Sequence, residues 1–297
     1  MTVGVRRAKH VPDRQKDAMM PSPTAYEPPR FDAGSQRPHV MGILNVTPDS
    51  FSDGGRHANA DAALKRAQEM ILEGADILDV GGESTRPGSE PVPLDLEWSR
   101  LDPILDQVIA MGTPVSIDTY KAEIARRACA AGALIVNDVW GLQKDPAMAD
   151  VVAEAGVHVV MMHNRLAADA GLDILSDIDR FFETSMDLAE KAGIAREKQI
   201  LDPGFGFGKT IDQNFIVLNR FETLRKHGLP LLAGASRKRM IGAVLEAETE
   251  DRLFGSVAVH MTAMLKGAAI VRTHDVSPHA DCARMIEATR LERNPVE

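Results

Sequence analysis

The apolar run from Val40 to Leu44 stops abruptly at Asn45. A polar, glycine-ended stretch follows, with Thr47, Pro48, Asp49, Ser50, Ser52, Asp53, Gly54 and Gly55. Such a change of pattern predicts a buried strand running into a loop. The event recurs seven more times. Short runs rich in Val, Ile and Leu lie at 39–47, 76–81, 114–119, 134–139, 157–163, 199–203, 230–236 and 268–274. They show no apolar–polar alternation, which suits strands covered on both faces, as in a parallel sheet.

Amphipathic segments separate these runs. In 61–73, Leu64, Ala67, Met70 and Ile71 make one stripe at helical spacing. In 121–131, Ile124 and Ala128 lie opposite Lys121 and Arg126. Gly74, Gly132, Gly156 and Gly267 each stand between a helical segment and the next apolar run. Glycine just past a helix end tolerates the left-handed conformation that stops the helix. The repeat is therefore a βα unit, and eight units over residues 39–297 predict an α/β fold, a TIM (β/α)8 barrel. A doubly wound open sheet is the rival. Its first βα turn would carry GxGxxG, which is absent here.

Residues 1–38 break the pattern. They hold six prolines, seven Lys/Arg, four Asp/Glu and few apolar residues. They read as a disordered N-terminal extension rather than a secretory signal, since no apolar core of a signal is present. Acids and prolines also weaken a transit-peptide reading. The 297-residue chain is 44% hydrophobic and 26% charged, and no apolar run nears the roughly 20 residues of a membrane span. A net charge of −9 argues against nucleic acid as a partner but not against a small anion bound by a local basic cluster. Cys129 and Cys282 are the only cysteines, so a disulfide framework and a zinc site are not expected and a reducing cytoplasm is.

In a barrel of this kind the chemistry sits at the C-terminal strand ends. Those ends read Asn45; Asp79 with Glu83, Ser84, Thr85 and Arg86; Asp118; Asn137 and Asp138; His163 and Asn164; Asp202; Ser236, Arg237 and Lys238; Arg272, Thr273 and His274. Any one of them alone can serve as a helix cap or an ion pair. Eight together at one mouth point to a site. Asp118, Asn137 and Asp202 offer acceptors and an amide for the edge of a flat heterocycle, whose buried polar groups need partners. Arg86, Lys238, Arg272 and His274, with the hydroxyls of Thr47, Ser50, Ser52 and Thr85, suit a phosphate or pyrophosphate. Phe51 and Phe207 either wall an aromatic substrate or pack at the rim, and Met162 offers apolar contact at the mouth. With few clustered carboxylates, a magnesium ion (Mg2+) would be held by Asn45 and the ligand's own phosphates.

Two motifs mislead. GFGFGKT at 204–210 resembles a phosphate-binding loop, but the glycine that pattern requires is Pro203. Met161-Met162-His163 lacks the second histidine of a zinc site.

Seven blocks, MGILNVTPDSFSDGG (41–55), DVGGESTRPGSEPV (79–92), SIDTYK (116–121), NDVWG (137–141), LDPGFGFGKT (201–210), GASRKRMIG (234–242) and RTHDV (272–276), together resemble bacterial dihydropteroate synthase. The resemblance spans about 39–290 in the right order, and the first, second and sixth blocks are highly specific. It implies condensation of 6-hydroxymethyl-7,8-dihydropterin diphosphate with p-aminobenzoate, giving 7,8-dihydropteroate and pyrophosphate in folate biosynthesis. Pyrophosphate leaves first, and the aniline nitrogen attacks the resulting cation. By motif, Asn45 would ligate magnesium. Asp118, Asn137, Asp202 and Lys238 would hold the pterin, beside Met162 and Phe207. Arg272 would stack on the ring and, with His274, meet the diphosphate. Thr85, Arg86, Pro87, Phe51 and Ser236 would shape the aminobenzoate pocket, where sulfonamides compete. Lys238, Arg272 and Asp118 are the expected catalytic residues, and the family implies a homodimer. The Ser/Thr/Gly/Pro-rich segments 45–56 and 82–93 are expected to act as lids. One departure is local: after strand five the chain reads His163-Asn164-Arg165-Leu166-Ala167-Ala168, where a short Gly/Pro turn is expected.

Two rivals remain open to test. Corrinoid-linked methyl transfer uses similar barrels but has no diphosphate to hold, and the anion-binding set speaks against it. A pterin-binding paralogue without turnover would be marked by loss of Asn45, Arg272 or Lys238, and all three are present.

Overall fold

The computed structural model describes residues 30–31, 36–46, 56–84 and 90–295. Phe51, Thr85, Arg86 and Pro87, the hydroxyls of Thr47, Ser50 and Ser52, and stretches 47–55 and 85–89 of the two expected lids lie outside the described residues.

Eight parallel strands alternate with helices. The strands are β1 (His39–Asn45), β2 (Ile77–Gly81), β3 (Val115–Asp118), β4 (Ile135–Asp138), β5 (His158–Met162), β6 (Gln199–Asp202), β7 (Leu232–Ala233) and β8 (Ile270–Thr273). The helices are α1 (Arg56–Glu73), α2 (Leu94–Ala110), α3 (Ala122–Ala131), α4 (Met148–Ala155), α5 (Ile174–Ala192), α6 (Ile211–Asn219), α7 (Arg239–Leu245), α8 (Leu253–Leu265) and α9 (Val276–Leu291). Strand order runs β6-β5-β4-β3-β2-β1-β8-β7, and one bridge, Leu201 to Leu231, joins the two ends. This is the expected TIM barrel, with its ring nearly closed.

The expected α1 stripe is buried at Ala67 and Met70, and Leu64 and Ile71 pack against the core. Gly74, Gly132, Gly156 and Gly267 all adopt positive φ, as a left-handed helix stop requires. Lys121 differs from expectation. It does not point to solvent but reaches back to Glu83 and Glu97.

β7 is shorter than the run 230–236 predicts, and the reason is local. The amide of Ala235, which a longer strand would spend on the ladder, donates to His260 Nε2 at 2.9 Å. That of Arg237 donates to Ser256 Oγ at 2.8 Å. Pro230 has no N–H to offer.

The strand interiors carry an alternation that hydropathy alone conceals. Side chains two residues apart share a face of a strand. Toward the helices the strands show Val40, Leu44, Leu78, Val80, Ile117, Val136, Val159, Leu201 and Val271. Inside the barrel a lower layer holds Met41, Ile77, Ile135, Val160, Ile200, Leu232 and Ile270. Two residues further along these strands stand Ile43, Asp79, Asn137, Met162, Asp202, Gly234 and Arg272. The lower layer is capped by Phe31, whose ring meets His39 and His158 edge-on at 5.2 and 5.1 Å. Part of the N-terminal extension thus belongs to the barrel's base.

Candidate active site

The upper layer is built around one guanidinium. Arg272 Nε donates to Asp79 Oδ2 at 2.6 Å, and Nη2 donates to Asp118 Oδ2 at 2.6 Å. Asn137 Nδ2 donates to the same Asp79 oxygen at 3.1 Å. Both carboxylates are buried. Burial alone would lower the Arg272 pKa, but Asp79 and then Asp118 push it above that of a free arginine. A charge held in this way leaves uncompensated carboxylates if it is removed, at a cost of about 3–5 kcal/mol. Asp79 Oδ1 has no hydrogen-bond partner among the described residues.

Asn45 closes this side. A Cβ placed on Gly81 would lie in ordinary contact, 3.7 Å from both Asn45 Oδ1 and Asp118 Oδ2, so the two side chains flank the same point at the end of β2. Across the barrel, a Cβ on Gly234 would lie 3.7 Å from Arg272 Cβ and 3.8 Å from Asp202 Oδ2.

Lys238 faces Asp202. Its Nζ donates to the Phe205 carbonyl and lies 4.5 Å from the Phe207 ring centroid. Burial pulls the Lys238 pKa down to about 8, with Asp202 opposing and Arg272 assisting the fall. Burial likewise raises Asp202, against the pull of Lys238 and of the Gly204 amide, which donates to Asp202 Oδ1 at 2.7 Å. Arg237, between Ser236 and Lys238, has φ 57°, an uncommon conformation for a residue with a side chain. Its guanidinium is tied to Asp275, with Nε donating to Oδ2 at 2.9 Å.

An apolar wall stands beside these charges. Val139, Met162 and Phe207 form a separate cluster, with Tyr120 and Trp140 packed on it. Ser236 Oγ accepts from the His274 amide at 3.2 Å and lies 3.0 Å from His274 Nδ1. The structure therefore draws together Asn45, Asp118, Asn137, Met162, Asp202, Phe207, Ser236, Lys238, Arg272 and His274. Phe51, Thr85, Arg86 and Pro87 remain outside the described residues.

Sequence reasoning gave no role to three groups. Asp79 is the shared partner of Arg272 and Asn137, and its signal was an acid inside the apolar run ILDVG. Glu83 and Glu97 are buried on Lys121, whose Nζ reaches Glu97 Oε2 and the Val92 carbonyl, each at 2.5 Å. Lys209, in the rejected phosphate-loop motif, is buried with its ammonium turned into the protein. The unexpected loop after β5 is fixed by its own polar residues: Asn164 Nδ2 donates to the Val139 carbonyl at 2.9 Å, and Arg165 Nη1 to Asp177 Oδ2 at 2.8 Å.

The profile of the pterin binding enzyme family matches residues 41–274. Dihydropteroate synthase from Bacillus subtilis is 48% identical over 250 residues, 84% of this chain and 87% of that protein. The chain belongs to the dihydropteroate synthase family. It is accordingly a transferase of folate biosynthesis. Solved dihydropteroate synthases superpose closely. One from Clostridium difficile, determined with pteroic acid, has a TM-score of 0.83 at 46% identity and covers 85% of this chain and 97% of its own. One from Xanthomonas albilineans with 4-aminobenzoic acid has a TM-score of 0.83 at 43% identity and covers 89% and 99%. One from Yersinia pestis in complex with a sulfonamide drug has a TM-score of 0.80 at 42% identity and covers 86% and 95%.

Proposed function

We propose that this dihydropteroate synthase holds its pterin diphosphate in the charged upper layer of the barrel and its p-aminobenzoate at the rim. The observation that carries the reading is Arg272 bound to Asp79 and Asp118, with Asn137 beside them and Lys238 and Asp202 opposite. Asp118, Asn137, Asp202 and Lys238 meet the edge of the pterin, and Met162 and Phe207 its faces. Arg272 stacks on the ring and, with His274, turns positive charge toward the diphosphate. Ser236, Phe51, Thr85, Arg86 and Pro87 shape the aminobenzoate pocket, where a sulfonamide of similar shape competes.

The chemistry follows from this inventory. The bond between the pterin methylene carbon and the diphosphate oxygen breaks, and its electron pair leaves with the diphosphate. The cation left on the pterin is delocalised over the ring and faces Asp118 and Asp202. The aniline nitrogen of p-aminobenzoate supplies its lone pair to the methylene carbon and then loses a proton to water. The departing group takes its electrons with it, so Lys238 and Arg272 act by holding charge where it develops.

Magnesium fits this site only together with the diphosphate. Asn45 Oδ1 offers one neutral oxygen beside Asp118, and no group of three His, Cys, Asp or Glu side chains is arranged for a metal among the described residues. Bound there, the ion would neutralise charge on the leaving diphosphate.

A homodimer is supported by exposed apolar side chains on neighbouring helices α7 and α8. Phe254 is 83% exposed, Leu265 65% and Val244 62%. Such a face on a soluble chain marks an interaction surface. A cytoplasmic location is supported by two free cysteines, and no described helix is long and apolar enough to cross a membrane.

The test is pyrophosphate release from the pterin diphosphate with magnesium, with and without p-aminobenzoate. Sustained release that needs p-aminobenzoate, and collapses in Lys238→Ala, is the expected result. Pterin binding without release would overturn the reading in favour of a silent paralogue.

A further inference from the structure

Of the GFGFGKT segment the proposed function uses Phe207 and leaves Lys209 without a role. Lys209 in it is buried, and its Nζ faces three acceptors: His163 Nδ1 at 2.7 Å, the Gly204 carbonyl at 2.8 Å and the Phe207 carbonyl at 3.1 Å. An ammonium has three N–H bonds, and these three acceptors use them all. None is left for a phosphate.

The acceptors define what the lysine does. The Gly204 and Phe207 carbonyls are the two ends of a tight turn, already joined by the Phe207 amide donating to the Gly204 carbonyl at 3.1 Å. The middle of the turn is held from behind by Asn214, whose Oδ1 accepts from the Gly206 amide at 2.6 Å. The front of the turn is the seat of Lys238. The Phe205 carbonyl accepts from its ammonium, the Phe207 ring lies under it, and a Cβ on Gly206 would come within 3.1 Å of its stem. Gly204 is equally constrained: a Cβ there would strike the His163 carbonyl at 2.0 Å. His163 in turn is fixed by Asp177, 3.1 Å from its Nε2. The imidazole thereby presents Nδ1 as an acceptor toward Lys209.

We infer that Lys209, with Asn214, is a positioning residue for pterin recognition: it clamps the Gly204–Phe207 turn from behind so that Phe207 and Lys238 stand ready in front. The inference rests on the assignment of Phe207 and Lys238 to the pterin. Among the described residues, neither Lys209 nor Asn214 hydrogen-bonds Ser236 of the rim, so their loss acts on the pterin rather than on the aminobenzoate.

The experiment uses the full chain. Lys209→Met keeps the stem and removes the three donors. The KM for the pterin diphosphate rises about tenfold, or ~1.4 kcal/mol, while that for p-aminobenzoate changes less than about twofold. Asn214→Ala, which frees the Gly206 amide and the Thr210 carbonyl, gives a smaller split in the same direction and stands in if Lys209→Met does not fold. Direct titration with a pterin lacking the diphosphate weakens in parallel, which a general loss of folded protein would not produce per active molecule. Folded variants with both KM values unchanged, or raised equally, overturn the clamp. Phe207→Ala separates the two ideas: if it leaves pterin binding intact, the site assignment has failed, and if it weakens binding while both clamp variants do not, only the clamp has failed.

Discussion

The two layers inside the barrel come from the same strands and differ in nearly everything else. The lower layer is Met41, Ile77, Ile135, Val160, Ile200, Leu232 and Ile270, closed below by Phe31. The upper layer, one side chain further along, is Asp79, Asn137, Asp202 and Arg272 with Met162. A step of two residues turns a core into a site. The lower layer is favoured by burial of apolar surface, which needs only shape. The upper layer buries charges that require each partner in place, so its composition is explained by what it binds and not by what it adds to stability.

Substitutions in the two layers should therefore cost similar stability and differ in activity. Arg272→Met is the most damaging. It removes the guanidinium that Asp79 and Asp118 share, lowers kcat/KM by about a thousandfold and destabilises the fold by about 3 kcal/mol. Pyrophosphate release and thermal unfolding measure the two losses. Ile135→Ala, in the layer below Asn137, should cost about 3 kcal/mol through the cavity it leaves, with kcat/KM per folded molecule unchanged. A matching loss of activity would mean that the layers are not separable.

The gentlest probe is pH. Lys238 is charged below about pH 8 and neutral above it, since burial depresses its pKa from that of a free lysine and Asp202 only partly restores it. If the cation is the working form, kcat/KM for the pterin diphosphate is flat up to about pH 8 and falls above it. Lys238→Arg should carry the plateau to higher pH at a lower height, because an arginine does not lose its proton there. A limb at the same pH in that variant assigns the titration to another group.

Much of this was legible in the chain. All eight strands, the four glycine helix stops and the residues at the strand ends follow from local pattern, because each depends on neighbours in sequence. What escaped depends on distant partners. Nothing near Asp79 announces Arg272, 193 positions away. Lys121 reads as a solvent-facing residue until Glu83 and Glu97 are brought beneath it. The base-sealing role of Phe31 is invisible in a proline-rich stretch, since a single aromatic residue carries no periodicity. The short β7 was missed because its ladder is interrupted by His260 and Ser256 from α8, which no property of residues 230–236 reveals.

The barrel closes between β6 and β7. One bridge at Leu201 and Leu231 is all that makes a ring of what is otherwise a curved arc. Asp202 and Lys238 stand on the opposite lips of that gap. A molecule held by both works as a clasp, completing across the mouth a circle that the backbone itself leaves almost undone.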